Sequence, residues 1–321
     1  MKSHRLTVRV AAALAVVALL TGCRAEVLPT AHRQVLVEQN QDGYAQVADD
    51  DPRYDALEAY LADDVELAHL LSACERATAA FSASHMQTAA ATAAKNLTVL
   101  ALGEQAGLLR DVRVQGRYGE VQLDLALAAP VEDPAQLSAA APAVARAVGE
   151  ALLVLAGQGY ATRACLDLAC DSLPAPPGSV LTQGLGAALE ALYVEGLGAD
   201  ARSPHTEHAT ASERARRLAA GEYRRDATSL AEALQSPGVA GSVFYRLLNE
   251  APTGYPQRFM LWFANYDPQD EALAKIVLVA YRVGRQATIV EFLETYGATF
   301  PGERALALDL LAGVTSPTEV R

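Results

Sequence analysis

Aromatic side chains are scarce in this chain: Phe, Trp and Tyr make up 6% of its 321 residues, and Trp262 is the single tryptophan. Sandwiches and barrels build their cores from aromatic and β-branched residues. A hydrophobic share of 51% carried largely by alanine therefore favours closely packed helices. Basic residues are also in the minority, 26 against 38 acidic ones. That balance excludes a nucleic-acid backbone as partner and disfavours adhesion to anionic headgroups. Chemical signatures are missing as well. The chain contains no Gly-x-Ser-x-Gly elbow, His-Glu-x-x-His helix, phosphate loop or dinucleotide fingerprint. It is accordingly read as non-enzymatic and without a cofactor.

Histidine offers one close pair, in His205-Thr206-Glu207-His208. On a helix that spacing could turn two ligands to one metal, but it follows Ser203-Pro204 in a polar stretch with no third ligand nearby, so no metal is expected. Long apolar runs are absent after the first twenty residues.

What the chain does have is a distinctive start. Lys2, Arg5 and Arg9 precede the unbroken apolar run Val10 to Leu20, which is too short to span a bilayer and reads as the apolar region of a signal peptide. Leu20-Thr21-Gly22-Cys23 ends that run and resembles the lipobox of bacterial lipoproteins. The resemblance implies that residues 1–22 are removed and that Cys23 carries the lipid. With Arg24 rather than an aspartate next in line, it also implies transport to the outer membrane. Lipid on Cys23 is then the membrane attachment. The remaining chain has 23 basic and 38 acidic residues, a formal charge of −15.

Residues 23–50 mix polar and charged side chains up to Asp49-Asp50-Asp51 and read as a lipidated tether. Asp51 and Pro52 begin a helix whose stripe runs through Leu57, Leu61, Val65, Ala68, Leu71, Cys74, Ala77 and Phe81. A second helix is expected over Thr88 to Leu109. From Val112 the period shortens to two, with Gly116-Arg117-Tyr118-Gly119 between two alternating runs, which predicts a β-hairpin. Asp133-Pro134 opens another helix, stopped at Gly157-Gln158-Gly159, and a third strand is expected from Tyr160 to Leu168. Residues 51–173 thus read as an α+β domain of β-β-α-β order, a small antiparallel sheet covered by helices. Residues 174–178 form a Pro-rich linker, and residues 179–321 an all-α domain.

Cys74, Cys165 and Cys170 allow one disulfide with one cysteine over. Extended chain would hold Cys165 and Cys170 roughly 16 Å apart, beyond bridging distance. Their pairing requires a turn between them, and Cys74 with either is the competing bridge.

Turn-like sites at Gly221, Gly254 and Gly284 recur at intervals of 33 and 30 residues, the scale of a helix-turn-helix repeat. The last unit, Asp270 to Pro301, resembles a tetratricopeptide repeat in Ala280, Gly284 and Pro301, although Val277 and Ile289 stand where that family has small residues. The resemblance implies a helical-repeat domain that binds other proteins. Tyr255, Phe259, Trp262, Phe263 and Tyr266 gather the aromatics, four of them at helical spacing, and are the candidate partner-binding residues. Arg214, Arg216, Arg217, Arg224 and Arg225 form a basic cluster expected to pair with neighbouring carboxylates.

The combined expectation is an outer-membrane lipoprotein facing the periplasm, a scaffold or accessory subunit of an envelope assembly or secretion machine. The alternative is a periplasmic or surface ligand-binding or hydrolytic protein with its site between the two domains.

Overall fold

The computed structural model describes residues 33–40, 43–46, 50, 97–104, 112–117, 120–128, 134–155, 162–163, 167–176, 178–196, 206–250, 268–284 and 286–316, with side chains described for most of those from 141 onward. All of them belong to one compact unit, Ala31–Arg321.

Six strands are traced by their backbone: β1 (Arg33–Asn40), β2 (Gly43–Gln46), β3 (Leu97–Glu104), β4 (Val112–Arg117), β5 (Glu120–Ala128) and β6 (Thr162–Arg163). They are ordered β2-β1-β3-β5-β4-β6. The predicted hairpin is β4–β5, antiparallel, with Arg117 opposite Glu120. The central pairs β1–β3 and β3–β5 are parallel.

Among the described residues there are ten α-helices, the first lying between β5 and β6: α1 (Pro134–Leu155), α2 (Leu168–Ser172), α3 (Val180–Gly196), α4 (Thr206–Ala219), α5 (Glu222–Asp226), α6 (Leu230–Gln235), α7 (Pro237–Glu250), α8 (Pro268–Val283), α9 (Ile289–Thr299) and α10 (Arg304–Thr315). Where side chains are described, the molecule is all-α and contains no strand. That overturns the expected α+β architecture, a small antiparallel sheet followed by a separate all-α domain. The strands that are traced pair in a mixed sheet, and α1, assigned to the α+β part, is packed along α3 of the helical part. Between them the Pro-rich stretch is itself packed: Ala175 is buried and its N–H donates to the Gln235 carbonyl at 2.8 Å.

Other expectations shift for local reasons. The helix read over Thr88 to Leu109 contains β3, whose residues Leu97 to Leu102 do not alternate in polarity and which pairs in parallel with β1 on one side and β5 on the other. The tether contains β1 and β2, a pair with Asn40 opposite Gly43. Of the expected third strand the described residues include Thr162–Arg163; Asp167 accepts from the Ala169 N–H at 3.0 Å and caps α2, so Leu168 is helical. The helix expected from Asp51 to Phe81 lies outside the described residues.

The centre of the body is α3, buried on every side from Val180 to Tyr193 apart from Gln183. Small residues let its neighbours approach closely. A Cβ on Gly149 of α1 would stand 2.9 Å from the Gly186 Cα, and one on Gly184 would stand 2.7 Å from the Ala240 Cβ of α7. The alanine-rich composition is therefore the means by which α1, α3 and α7 pack backbone to backbone. Towards the C-terminus α8 and α9 form a helical hairpin turning at Gly284, whose φ of 85° suits a residue without a Cβ. Thr288 and Glu291 close a capping box at the start of α9. Phe244 of α7 meets Phe292 of α9 edge to face at 5.1 Å, joining this hairpin to the centre. Among the described residues no helix is long and apolar enough to cross a membrane.

Candidate functional site

The most concentrated chemistry among the described residues is a closed ring of buried charge. Arg146 comes from α1, Asp171 from α2, Glu190 from α3 and Arg214 from α4, and none of the four side chains is more than 4% exposed. Arg146 donates to Asp171 Oδ1 at 2.9 Å and to Glu190 Oε2 at 3.3 Å. Arg214 donates to Asp171 Oδ2 and to Glu190 Oε1, both at 2.5 Å. Each carboxylate oxygen of the ring thus accepts from a guanidinium. Glu150, one turn along α1, adds a carboxylate 3.4 Å from Arg146 Nε.

Each member occupies its place for a local reason. Arg214 lies on the same stripe of α4 as Ala211, Ala215 and Leu218, at the spacing that makes a helix face inward. Glu190 lies in a helix with no solvated face, so its carboxylate must find cations within the core. Asp171 is delivered by the single turn of α2, whose position is fixed by Ser236: its hydroxyl donates to the Asp171 carbonyl at 2.7 Å while accepting from the Val239 N–H at the start of α7. Tyr223 of α5 donates its hydroxyl to Asp171 Oδ2 at 3.3 Å.

Burial alone would raise the Asp171 carboxyl, but Arg146 and Arg214 beside it hold it below the usual carboxylate range. For Tyr223, burial and then the Asp171 charge push the phenol upward, so it remains a donor at neutral pH. Arginine stays protonated throughout. The ring ties α1, α2, α3 and α4 to one another through paired charges.

A second buried set joins α8 to the chain after α9. Lys275 lies 2.5 Å from both Glu271 and Glu303, and Tyr296 donates its hydroxyl to Glu303. The ammonium also faces the Phe300 ring at 5.5 Å from its centroid.

Several residues singled out in the sequence can now be placed. In the basic cluster Arg214 is buried in the ring. Arg216 pairs with Glu213 at 2.7 Å and Glu222 at 2.6 Å, and Arg217 pairs with Asp226 while lying over the Tyr223 ring. Arg224 donates to the Val314 carbonyl at 2.6 Å and Arg225 to the Ala220 carbonyl at 2.9 Å. The five arginines thus serve several separate contacts rather than one basic face. His208 is buried edge-on to Tyr193 at 6.3 Å, and among the described residues no group of three or more His, Cys, Asp or Glu side chains could hold a metal ion. Cys170 is half-buried on α2 and disulfide-bonded. Cys23, Cys74, Cys165 and His205 lie outside the described residues, as do Tyr255, Phe259, Trp262, Phe263 and Tyr266.

Arg146, Asp171, Glu190, Lys275 and Glu303 were not among the sequence candidates. A signal for three of them exists: Arg146, Glu190 and Lys275 are charges set within largely apolar stretches of helix. Comparison of the chain with protein-family models, with curated proteins and with solved structures finds no match in any of the three.

Proposed function

We propose that this protein is an outer-membrane lipoprotein facing the periplasm, held by lipid on Cys23, and that it acts as a protein-binding scaffold or accessory subunit of an envelope assembly or secretion machine. The observation that carries the reading is the ordered sequence of Lys2, Arg5 and Arg9, the apolar run Val10 to Leu20, and Leu20-Thr21-Gly22-Cys23. An anchor of this kind holds a folded body at a membrane surface without spanning it.

The non-enzymatic part of the reading is supported by how the buried charges are used. In the ring Arg146 and Arg214 pair with Asp171 and Glu190, and in the second set Lys275 pairs with Glu303, all away from solvent. Such sets stiffen a body, and a stiff helical body suits a subunit that other proteins dock on.

Cross-linking in intact cells, comparing the native protein with a Cys23→Ser form and identifying captured neighbours by mass spectrometry, tests the reading. The native protein should fractionate with the outer membrane and capture a reproducible set of envelope proteins, and the Cys23→Ser form should lose both. Membrane residence with no reproducible neighbour would overturn the scaffold role, and a Cys23→Ser form that stays in the membrane would overturn the anchor.

A further inference from the structure

Proline shapes the short stretch that leads out of α2. The rings of Pro174 and Pro176 fix φ, and Leu173, Ala175 and Pro176 each precede a proline in the sequence, which drives them to extended backbone. Leu173 accordingly has φ −77° and ψ 144°, the values of a polyproline II helix. Such a helix has three residues per turn, so Leu173 and Pro176 share one edge, Pro174 lies on the second and Ala175 on the third. Exposure follows that geometry. Ala175 is buried against the body, whereas Leu173, Pro174 and Pro176 are exposed, Leu173 by 58%. Two apolar edges therefore face solvent side by side, over roughly 9 Å.

The stretch is held in this form before any partner arrives. The Leu173 N–H donates to the Ala169 carbonyl at 3.2 Å and the Ala175 N–H to the Gln235 carbonyl at 2.8 Å, while the Pro176 carbonyl accepts from the Ser179 N–H at 3.0 Å and from its hydroxyl at 2.8 Å. With the two prolines, those bonds leave no backbone N–H from Leu173 to Pro176 for pairing with a strand, so recognition falls to the side chains. Residues 172–180 contain no charged residue, so attraction between opposite charges does not supply the recognition either. Apolar side chains on two edges of a fixed polyproline II helix fit the slots between aromatic rings.

We propose that Leu173, Pro174 and Pro176 form a preformed polyproline II ligand for a partner protein with an uncharged, aromatic-lined groove, in which the three side chains seat between the rings. Because the backbone is fixed beforehand, binding loses little conformational freedom. The inference names a surface and a partner class for the protein-binding role and rests on that part of the reading; it does not use the lipid anchor.

Photo-cross-linking of the full chain in intact cells is the test, with benzoylphenylalanine in place of Gln235, an exposed residue whose carbonyl holds Ala175. Mass spectrometry should map the link to one partner protein, beside a cluster of Trp, Tyr or Phe residues. Leu173→Glu, which sets a charge on an exposed edge, and Pro174→Ala should each weaken that link at least about tenfold while keeping the native circular dichroism spectrum. Should Pro174→Ala not fold, Leu173→Glu decides alone, since its side chain is exposed. A link that persists in Leu173→Glu, a link to a surface without aromatic residues, to lipid or to a second copy, or no link at all would overturn the proposal. Chemical cross-linking of the native chain separates this failure from that of the scaffold role. If the chain still captures a reproducible set of envelope proteins, the polyproline II site alone has failed; if it captures none, the scaffold role fails with it.

Discussion

Replacing Arg214 by methionine asks how much of the body's stability passes through the ring. Methionine keeps an unbranched chain of similar reach in a site with no exposed surface, so packing is largely preserved and charge is what changes. Two contacts disappear, to Asp171 and to Glu190, both at 2.5 Å. Charge-assisted hydrogen bonds contribute about 1.5–3 kcal/mol each, and breaking a buried pair by removing one partner costs about 3–5 kcal/mol, because the partner's charge stays behind without compensation. The expected loss is therefore about 3–5 kcal/mol, a large share of the roughly 5–15 kcal/mol typical of a folded domain. Urea unfolding followed by circular dichroism measures it, with Glu190→Gln and the double variant completing a cycle.

The ring also fixes a pH dependence. The Asp171 carboxyl in the folded protein is held below its unfolded value of about 3.9. Its contribution is complete above that value and disappears as pH falls through the lower, folded one. Without Arg214 one of the charges lowering it is gone, so Arg214→Met should begin to unfold at a higher pH than the native chain. A loss below about 1 kcal/mol with an unmoved acid transition would refute the reasoning, since that is the range of an exposed pair.

Two glycines in helices should respond in opposite directions. Gly149→Ala places a Cβ 2.9 Å from both the Gly186 Cα and the Leu185 carbonyl oxygen; because backbone cannot yield as a flexible side chain can, α1 and α3 are forced apart, and thermal unfolding should show a loss of about 1–3 kcal/mol. Gly313→Ala in α10 meets nothing within 4 Å, so relief of the glycine penalty should raise stability by about 0.5–1 kcal/mol in the same assay.

What was legible in the sequence was what local chemistry decides. The start of α1 could be read from Asp133-Pro134 and its end from the glycines after Leu155, because caps act over a few residues. The β4–β5 hairpin was legible because one face alternates around a turn. By contrast β3 has no alternation to read, and β1 presents Val35, Leu36 and Val37 among polar residues in a stretch that resembles a tether. The ring was illegible for a different reason. Its parts are 25, 44, 43 and 24 residues apart along the four contacts, and no local rule says that Glu190 will face Arg146 rather than any other cation. The basic cluster shows the same limit within a single helix. Arg214, Arg216 and Arg217 read as one patch, yet the helical turn sends Arg214 into the core and Arg216 to the surface.

The closed form of the ring bears on how the body assembles. Any three members leave a buried charge with half its partners, so a packing that brings α1, α2 and α3 together without α4 places Asp171 and Glu190 against Arg146 alone. Only the complete set satisfies every carboxylate oxygen. Apolar surface would reward many alternative packings of helices as rich in alanine as α1, α3 and α7, because small side chains give few distinctive shapes to interlock. Charge placed inside those helices removes that freedom: a one-turn slip of α4 moves Arg214 by about 5.4 Å, beyond reach of both carboxylates. The alanine-rich core thus provides close approach, and the buried ions select which of the close approaches is the native one.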